Sequence, residues 1–304
     1  MVKVSVVIPT YNRAHILGRS IDTALNQTYR DIEILIVDDG STDETFDAVK
    51  TFLRHSQVRY LCHERNKGCQ AARNTGIKNA RGDYVAFLDS DDTWIPEKIE
   101  LQLDAINKKG ADRVVLTWFK IINGSRQWFF EKQYEGYVYP ELLASDGPGY
   151  PCMLVPREWL RQIGFLDENI SAFTDWDTCI SLSKLFEFTT VNKPCWNYCL
   201  DEPNAVTKNQ LAKAFAYERI VDKNLKDMLQ FIGRRGLARH HRNIAYLFDC
   251  AGEFSRSKAH ITEAFKIDST NRAVFLLALS ALFGERVYHL AKLAGSIMNK
   301  RSSI

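Results

Sequence analysis

No C-x-x-C pair occurs in this chain of 304 residues, and its seven cysteines are an odd number scattered along it. That pattern argues against a disulfide framework and against a zinc knuckle. The seven histidines form no H-x-x-x-H helix pattern, so the zinc-hydrolase signature is missing as well. Glycine-rich phosphate cradles are also lacking: neither G-x-G-x-x-G nor G-x-x-x-x-G-K-[ST] is present. NAD-type and P-loop nucleotide binding therefore drop out as leading readings. The longest mostly apolar run, Ala273 to Phe283, is far too short to span a bilayer. Lys3 is followed at once by Val4-Ser5-Val6-Val7-Ile8, which leaves no room for a cleavable apolar leader. The expectation is a cytoplasmic protein with reduced thiols.

What is present is ordinary in bulk and uneven in distribution. Hydrophobic content of 45% and charge of 25% suit a globular protein. Residues 1–200 carry 23 Lys+Arg against 27 Asp+Glu, whereas residues 201–304 carry 17 against 10. An acidic front and a basic tail suggest two different jobs. The expected division is a domain over 1–200 and a helical region over 201–304. The tail is basic but lacks interleaved aromatics in a recognisable module, so nucleic acid is not an expected partner.

Through the first 120 residues, apolar runs of strand length alternate with helical spacing. Strands are predicted at Val4–Ile8, Ile32–Val37, Val58–Leu61, Tyr84–Leu88 and Arg113–Phe119. Helices are predicted at Ile16–Leu25, from Ser41 onward, at Cys69–Ala80 and at Pro96–Ile106. This alternation predicts an α/β fold with a mostly parallel sheet covered on both faces. Between about 120 and 200 the regularity breaks at glycines and prolines, with aromatics such as Trp128, Phe129, Phe130, Tyr134, Tyr137 and Tyr139 between them. Such residues fit either a sugar-binding surface or plain core. Beyond 200, Ile244–Gly252, Ser257–Phe265 and Arg272–Phe283 have the spacing of short amphipathic helices. The stretch from Ala245 to Phe265 faintly resembles one tetratricopeptide-like unit, without the repetition an array requires. Lys292, Lys300 and Arg301 near the end suit an anionic membrane surface or simply a solvated helical exterior.

The chemistry concentrates where strands end. Tyr84–Leu88 runs straight into Asp89, Ser90, Asp91 and Asp92, a D-x-D at the carboxyl edge where open α/β sheets hold ligands. Hard oxygen donors there suit Mg²⁺ or Mn²⁺ shared with nucleotide phosphates, although an acidic turn and helix cap would read the same. Pro9, Thr10 and Tyr11 follow the first strand, where an exposed Tyr11 could stack on a base. Asp38 and Asp39 end the second strand and could accept hydrogen bonds from a nucleobase or ribose. Arg73, on the third helix, could pair a phosphate. Taken singly, each segment also fits a surface turn or a solvated helix face.

Taken together, four blocks resemble family 2 glycosyltransferases with the GT-A fold, in the family's order and spacing. They are Val4 to Arg13, Val37 to Asp43, Ala72 to Gly76, and Phe87 to Asp92. The resemblance covers roughly residues 2 to 200. It implies a GT-A, Rossmann-like, nucleotide-diphospho-sugar transferase domain with a C-terminal helical appendage. Under it, Pro9, Thr10 and Tyr11 form part of the nucleotide pocket, Asp39 bonds base or ribose, and Arg73 lies near the phosphates. Asp91 is the main metal ligand for Mn²⁺ or Mg²⁺. Asp89 supports the ribose or the metal, Ser90 borders the donor, and Asp92 is an acid behind them.

The family also places a Glu-Asp pair at a helix start after a Gly-Phe-Asp-Glu stretch. Here Gly164-Phe165-Leu166-Asp167-Glu168 precedes Phe173-Thr174-Asp175-Trp176-Asp177. Thr174 replaces the usual Glu, and Asp175 is the implied catalytic base, with Asp177 as fallback. The implied reaction is inverting transfer from a UDP-sugar to a hydroxyl of a glycan, lipid-linked or protein-linked acceptor, as in bacterial surface polysaccharide synthesis. The C-terminal helices would make a peripheral contact with the inner membrane face, or a homodimer. A sugar-nucleotide pyrophosphorylase fits less well, since Pro9 to Arg13 is not its glycine-rich loop. A catalytically inactive glycan-binding or scaffold subunit is the alternative kept open by Thr174.

Overall fold

The computed structural model describes residues 3–110, 112–200, 209–270 and 279. The chain divides into two compact units: Met1–Leu142 with Asp146–Ala205, and Leu143–Ser145 with Val206–Ile304.

In the first unit the elements run β1 (Val4–Thr10), α1 (Leu17–Leu25), β2 (Ile32–Asp38), α2 (Thr45–Lys50), β3 (Val58–Cys62), α3 (Cys69–Asn79) and β4 (Tyr84–Phe87). They continue as β5 (Thr93–Trp94), α4 (Lys98–Lys109), β6 (Val114–Asn123), β7 (Arg126–Phe130), α5 (Tyr139–Ala144), β8 (Leu154–Pro156), α6 (Arg157–Gln162), α7 (Thr174–Ser183) and β9 (Phe188–Cys199). All seven residues of β1 and of β2 are buried, as expected of strands covered on both faces, whose sequences show no polar alternation.

The nine-stranded sheet has the order β3-β2-β1-β4-β8-β6-β9-β5, with β7 paired to β6. Strands β3, β2, β1 and β4 are mutually parallel. Past β4 the sheet is mixed, because β8 runs antiparallel to both β4 and β6 while β9 runs parallel to β6. The α/β expectation holds; the alternation is first interrupted by the short β5, which follows β4 without a helix, and ends where β6 turns back through a hairpin into β7. Chain order steps outward from β1 to β3 and then returns to the opposite side of β1 with β4. This reversal leaves a crevice at the carboxyl edge of β1, where such folds take ligands. Register places Thr10 opposite Asp38 and Val7 opposite Phe87, so the loops after all three strands open on that edge.

One local expectation is corrected. The hydroxyls of Ser41 and Thr42 look like helix caps in sequence, yet α2 begins only at Thr45, without a side-chain cap. The Asn12 amide instead donates to Ser41 Oγ (2.8 Å), and the Thr42 amide donates to Asn12 Oδ1 (2.8 Å). The polar groups that would start a helix thus tie the loop after β2 to the loop after β1. Asn12 itself holds a left-handed φ of 52°, which its short polar side chain tolerates.

The second unit is helical: α8 (Gln210–Lys223), α9 (Leu225–Phe231), α10 (Gly233–Cys250) and α11 (Phe254–Ile267). Asn209 caps α8 by accepting from the Ala212 amide (3.0 Å). Helices α10 and α11 turn about Gly252, at φ 79°, and close on Ala245, Ile261 and Ala264. Helix α10 starts well before the predicted Ile244 and ends at Cys250, and α11 extends past both ends of the predicted Ser257–Phe265. The predicted Arg272–Phe283 helix and Lys292, Lys300 and Arg301 lie outside the described residues. No helix among the described residues is long and apolar enough to cross a membrane.

Candidate active site

The site is built from the strand ends outward. Pro9 and Thr10 close β1 and are buried, while Tyr11 is 42% exposed just beyond. Thr10 Oγ1 is buried with no hydrogen-bond partner. Asp39 is held by its own amide, which donates to the Thr10 carbonyl (2.9 Å). Its carboxylate accepts from the Lys67 amide (2.9 Å) and the Gly68 amide (2.7 Å), and contacts His63 Nδ1 (2.7 Å). His63 Nε2 in turn reaches Thr75 Oγ1 (2.9 Å). Asp39 therefore pins the loop before α3 in this structure. Asp38 has a comparable role, accepting from the Ser41 amide (2.8 Å) and from the Tyr60 hydroxyl.

Arg73 is buried on α3. Its Nη2 donates to Asp89 Oδ1 (2.6 Å), and Nη1 donates to Gln70 Oε1 (2.9 Å). The guanidinium lies over the Tyr150 ring, 4.2 Å from its centroid, and Nε is buried without a hydrogen-bond partner. Tyr150 joins three elements. Its hydroxyl accepts from Gln70 Nε2 (2.9 Å) and lies 3.0 Å from the Thr174 carbonyl and 2.7 Å from Thr178 Oγ1. Its ring packs on Phe87 of β4, with centroids 5.1 Å apart.

The acidic run differs residue by residue. Asp89 and Asp91 are partly exposed, whereas Ser90 and Asp92 are buried. Ser20 Oγ lies 2.9 Å from the Ser90 carbonyl and 2.8 Å from the Asp92 carbonyl, and Arg19 donates to the Asp91 carbonyl. Helix α1 thereby fixes the turn. The Asp92 carboxylate accepts from Trp196 Nε1 (2.7 Å) and the Cys199 amide (3.0 Å). Burial pushes its pKa well above the usual carboxylate range, and the negative charges of Asp89 and Asp91 add to the rise.

Asp175 opens α7, the positive end of the helix. Its pKa is pushed up to about 6, chiefly by burial. The Trp176 amide (2.9 Å to Oδ1) and Arg73 oppose the rise, and Asp89 adds to it. Gly149 stands beside it: a Cβ there would meet the Trp196 ring at 2.7 Å and Asp175 Oδ2 at 3.7 Å. Only a glycine lets Trp196 come so close. Asp177 is buried one turn into α7.

Arg73 and Asp89 thus touch, and Asp175 feels the charge of both. Ser90 and Asp92 sit in the same turn. Asp39 and Thr10 form a separate rim joined through the backbone. Sequence reasoning did not single out Tyr150, His63, Gly149, Trp196 or Tyr198. His63 had one signal, its place just past the predicted third strand Val58–Leu61; the pairing of β3 with β2, Cys62 opposite Asp38, is what brings it beside Asp39. Tyr150 and Trp196 had none, since their partners are dozens of residues away.

A model of the family described as glycosyl transferase family 2 matches residues 5–175. The chondroitin synthase of Escherichia coli is 32% identical over 228 residues, which is 73% of this chain and 32% of that protein. The UDP-Glc:alpha-D-GlcNAc-diphosphoundecaprenol beta-1,3-glucosyltransferase WfgD of Escherichia coli is 36% identical over 162 residues, 53% of this chain and 63% of that one. The chain spans less than two thirds of the length of these relatives. The crystal structure of S. aureus TarS 1-349 in complex with UDP-GlcNAc superposes with a TM-score of 0.73 at 18% identity, over 97% of this chain and 91% of that one. Likeness at that identity shows a shared fold, and the family match rests on the sequence: across more than half its length, the chain belongs to glycosyltransferase family 2.

Proposed function

We propose that the chain transfers a sugar from a UDP-sugar to a hydroxyl of a glycan, lipid-linked or protein-linked acceptor, with inversion at the anomeric carbon. We assign the transfer to residues 1–200. The carrying observation is Asp175, a carboxylate lifted to about 6 at a helix start and lying within the field of the Arg73–Asp89 pair. A base with a pKa somewhat below neutrality is ionised at working pH yet still basic enough to take a proton. Asp175 takes the acceptor hydroxyl proton as that oxygen bonds to the sugar C1, and the bond from C1 to the diphosphate oxygen breaks. No second carboxylate is needed as a covalent nucleophile, so the configuration inverts. The names of relatives support the donor class: TarS was crystallised with UDP-GlcNAc, and WfgD is named for UDP-Glc.

The donor set suits a divalent cation. Asp89, Asp91 and Asp92 crowd one strand end, and the charges of Asp89 and Asp91 add to the rise that burial gives the Asp92 pKa. Among the described residues no three His, Cys, Asp or Glu side chains form a ready-made cage. Mg²⁺-type ions are commonly held by one or two carboxylates together with substrate phosphates. Asp91, with Asp89 beside it, would hold Mn²⁺ or Mg²⁺, and the bound ion would neutralise charge on the leaving diphosphate. Thr10 Oγ1 and Arg73 Nε, both buried without a protein acceptor, are donors suited to the nucleotide. Tyr11 is exposed enough to cover the base. The net-basic residues 201–304 suit an anionic inner membrane face or a second copy of the chain.

The test is the anomeric configuration of the product by NMR. Inversion is the expected result, and a retained configuration would remove Asp175 from the role of base.

A further inference from the structure

The aromatics on β9, β6 and β7 are not used by the donor chemistry, and their register gives them one shared face. Trp94, Trp196, Phe119 and Phe130 lie opposite one another across β5, β9, β6 and β7. Tyr198, Ile121 and Trp128 form the next row on the same side, because directly opposed residues share a face and alternate residues return to it. A register shift at Trp118 sets this phase. The rings pack in sequence: Trp196 on Phe119 at 4.5 Å, Phe119 on Phe130 at 4.8 Å and 25°, and Trp196 against Tyr198 at 5.3 Å.

One end of this face is in the candidate active site. Trp196 donates to Asp92 and packs on Gly149 beside Asp175. The Tyr198 phenol is pushed up to about 12 by burial and by the charges of Asp92, Asp89, Asp91 and Asp175. The other end is open: Trp128 is 42% exposed and Phe130 37%. Strands β9 and β7 stand about 10 Å apart across β6, room for more than one sugar ring.

We propose that the face carrying Tyr198, Phe130 and Trp128 is the platform on which the saccharide rings of the acceptor stack. The acceptor is then a glycan of more than one sugar rather than a bare lipid or protein hydroxyl. This rests on the transferase reading above. The electron-rich face of an aromatic ring attracts the weakly positive C–H groups on the flat side of a sugar, and the rows lead the chain end toward Asp175. The Tyr198 end of the face lies in the field of Asp89, Asp91 and Asp175, which favours a neutral saccharide there over an anionic lipid headgroup.

The test is a tryptophan fluorescence titration with triacetylchitotriose, cellotriose and a chondroitin tetrasaccharide, in the presence of Mn²⁺ and UDP. A parallel calorimetric titration follows UDP with Mn²⁺ and no saccharide, and a third follows anionic phosphatidylglycerol vesicles. At least one saccharide is expected to bind, about three- to tenfold more weakly in Trp128→Ala and in Phe130→Ala. Trp128→Phe should restore much of the affinity, which a merely misfolded hairpin would not. Phe129→Ala, on the reverse face, should leave saccharide binding unchanged, and UDP binding should be unchanged in all four variants. Saccharide affinity equal in wild type and Trp128→Ala, or no binding of any of the three, with UDP still bound, overturns the platform and leaves the donor reading intact. Vesicle binding that Phe129→Ala and Trp128→Ala weaken alike, without saccharide binding, overturns it in favour of a membrane hairpin. Folded protein that binds no UDP overturns the donor reading and the platform together.

Discussion

Replacing Asp175 by Asn should remove catalysis and at the same time stabilise the sheet domain, in a pH-dependent way. The carboxyl is raised from an ordinary 3.8 to about 6 in the folded chain. A raised carboxylate pKa means that the folded state disfavours the ionised form. The wild type therefore keeps its full stability below pH 4 and loses part of it as pH rises through 6. At about 1.4 kcal/mol per pKa unit, the loss reaches up to about 3 kcal/mol above pH 6. Asn is close to isosteric, its Oδ1 can still accept from the Trp176 amide, and it never ionises. The stability difference between variant and wild type should therefore be near zero at pH 3.5, grow between 4 and 6, and level off above. All six tryptophans lie between Trp94 and Trp196, so their fluorescence during urea unfolding reports on the sheet unit alone. The measurement is a pH series of such curves in EDTA without nucleotide. Turnover should fall by about 10²- to 10⁴-fold. A stability difference that is flat with pH, or an Asn variant less stable at pH 7.5, would refute the burial argument. Retained turnover would place the base elsewhere.

Other consequences follow from the same cluster. Arg73→Ala leaves Gln70 and the partly exposed Asp89 without their cation and should destabilise the domain by about 2–3 kcal/mol; Arg73→Lys should recover little, because one ammonium cannot replace the two-pronged contact. Urea unfolding measures both. Tyr150→Phe removes the hydroxyl shared by Gln70, Thr174 and Thr178 and should lower stability by about 1–3 kcal/mol, read from the shift of the urea midpoint. Gly149→Ala puts a methyl group into the Trp196 ring. It should destabilise by about 1–3 kcal/mol and reduce turnover by displacing Trp196 beside Asp175, whereas Gly147→Ala, with nearest approaches of 3.2–3.4 Å, should be milder.

Much of this site was legible because its chemistry sits where local patterns end. Runs such as Val4–Thr10 and Ile32–Asp38 announce buried strands, and acids directly after a strand must lie at its carboxyl edge. Thr174 to Asp177 similarly reads as a helix start. What sequence could not show is which polar groups satisfy one another. Ser41 and Thr42 have the local preference of caps, but the loop after β1 engages them first. Asp39 looks like a free acceptor until the fold brings the Lys67 and Gly68 amides and His63 to it. Tyr150 and Trp196 act through contacts that depend on strand register, and the register shift at Trp118 has no sequence marker. The aromatics between 120 and 140 were equally compatible with core and surface. Only the pairing of β7 with the end of β6 leaves Trp128 and Phe130 exposed.

The most direct test is calorimetric titration of the purified protein with UDP, GDP and dTDP, each with and without Mn²⁺. UDP is expected to bind with Mn²⁺ present, to lose that affinity without the metal, and to lose it equally in Asp91→Ala. Folded wild-type protein that binds none of the three with Mn²⁺ present, or binds UDP equally well in Asp91→Ala, would contradict a metal-dependent UDP-sugar transferase.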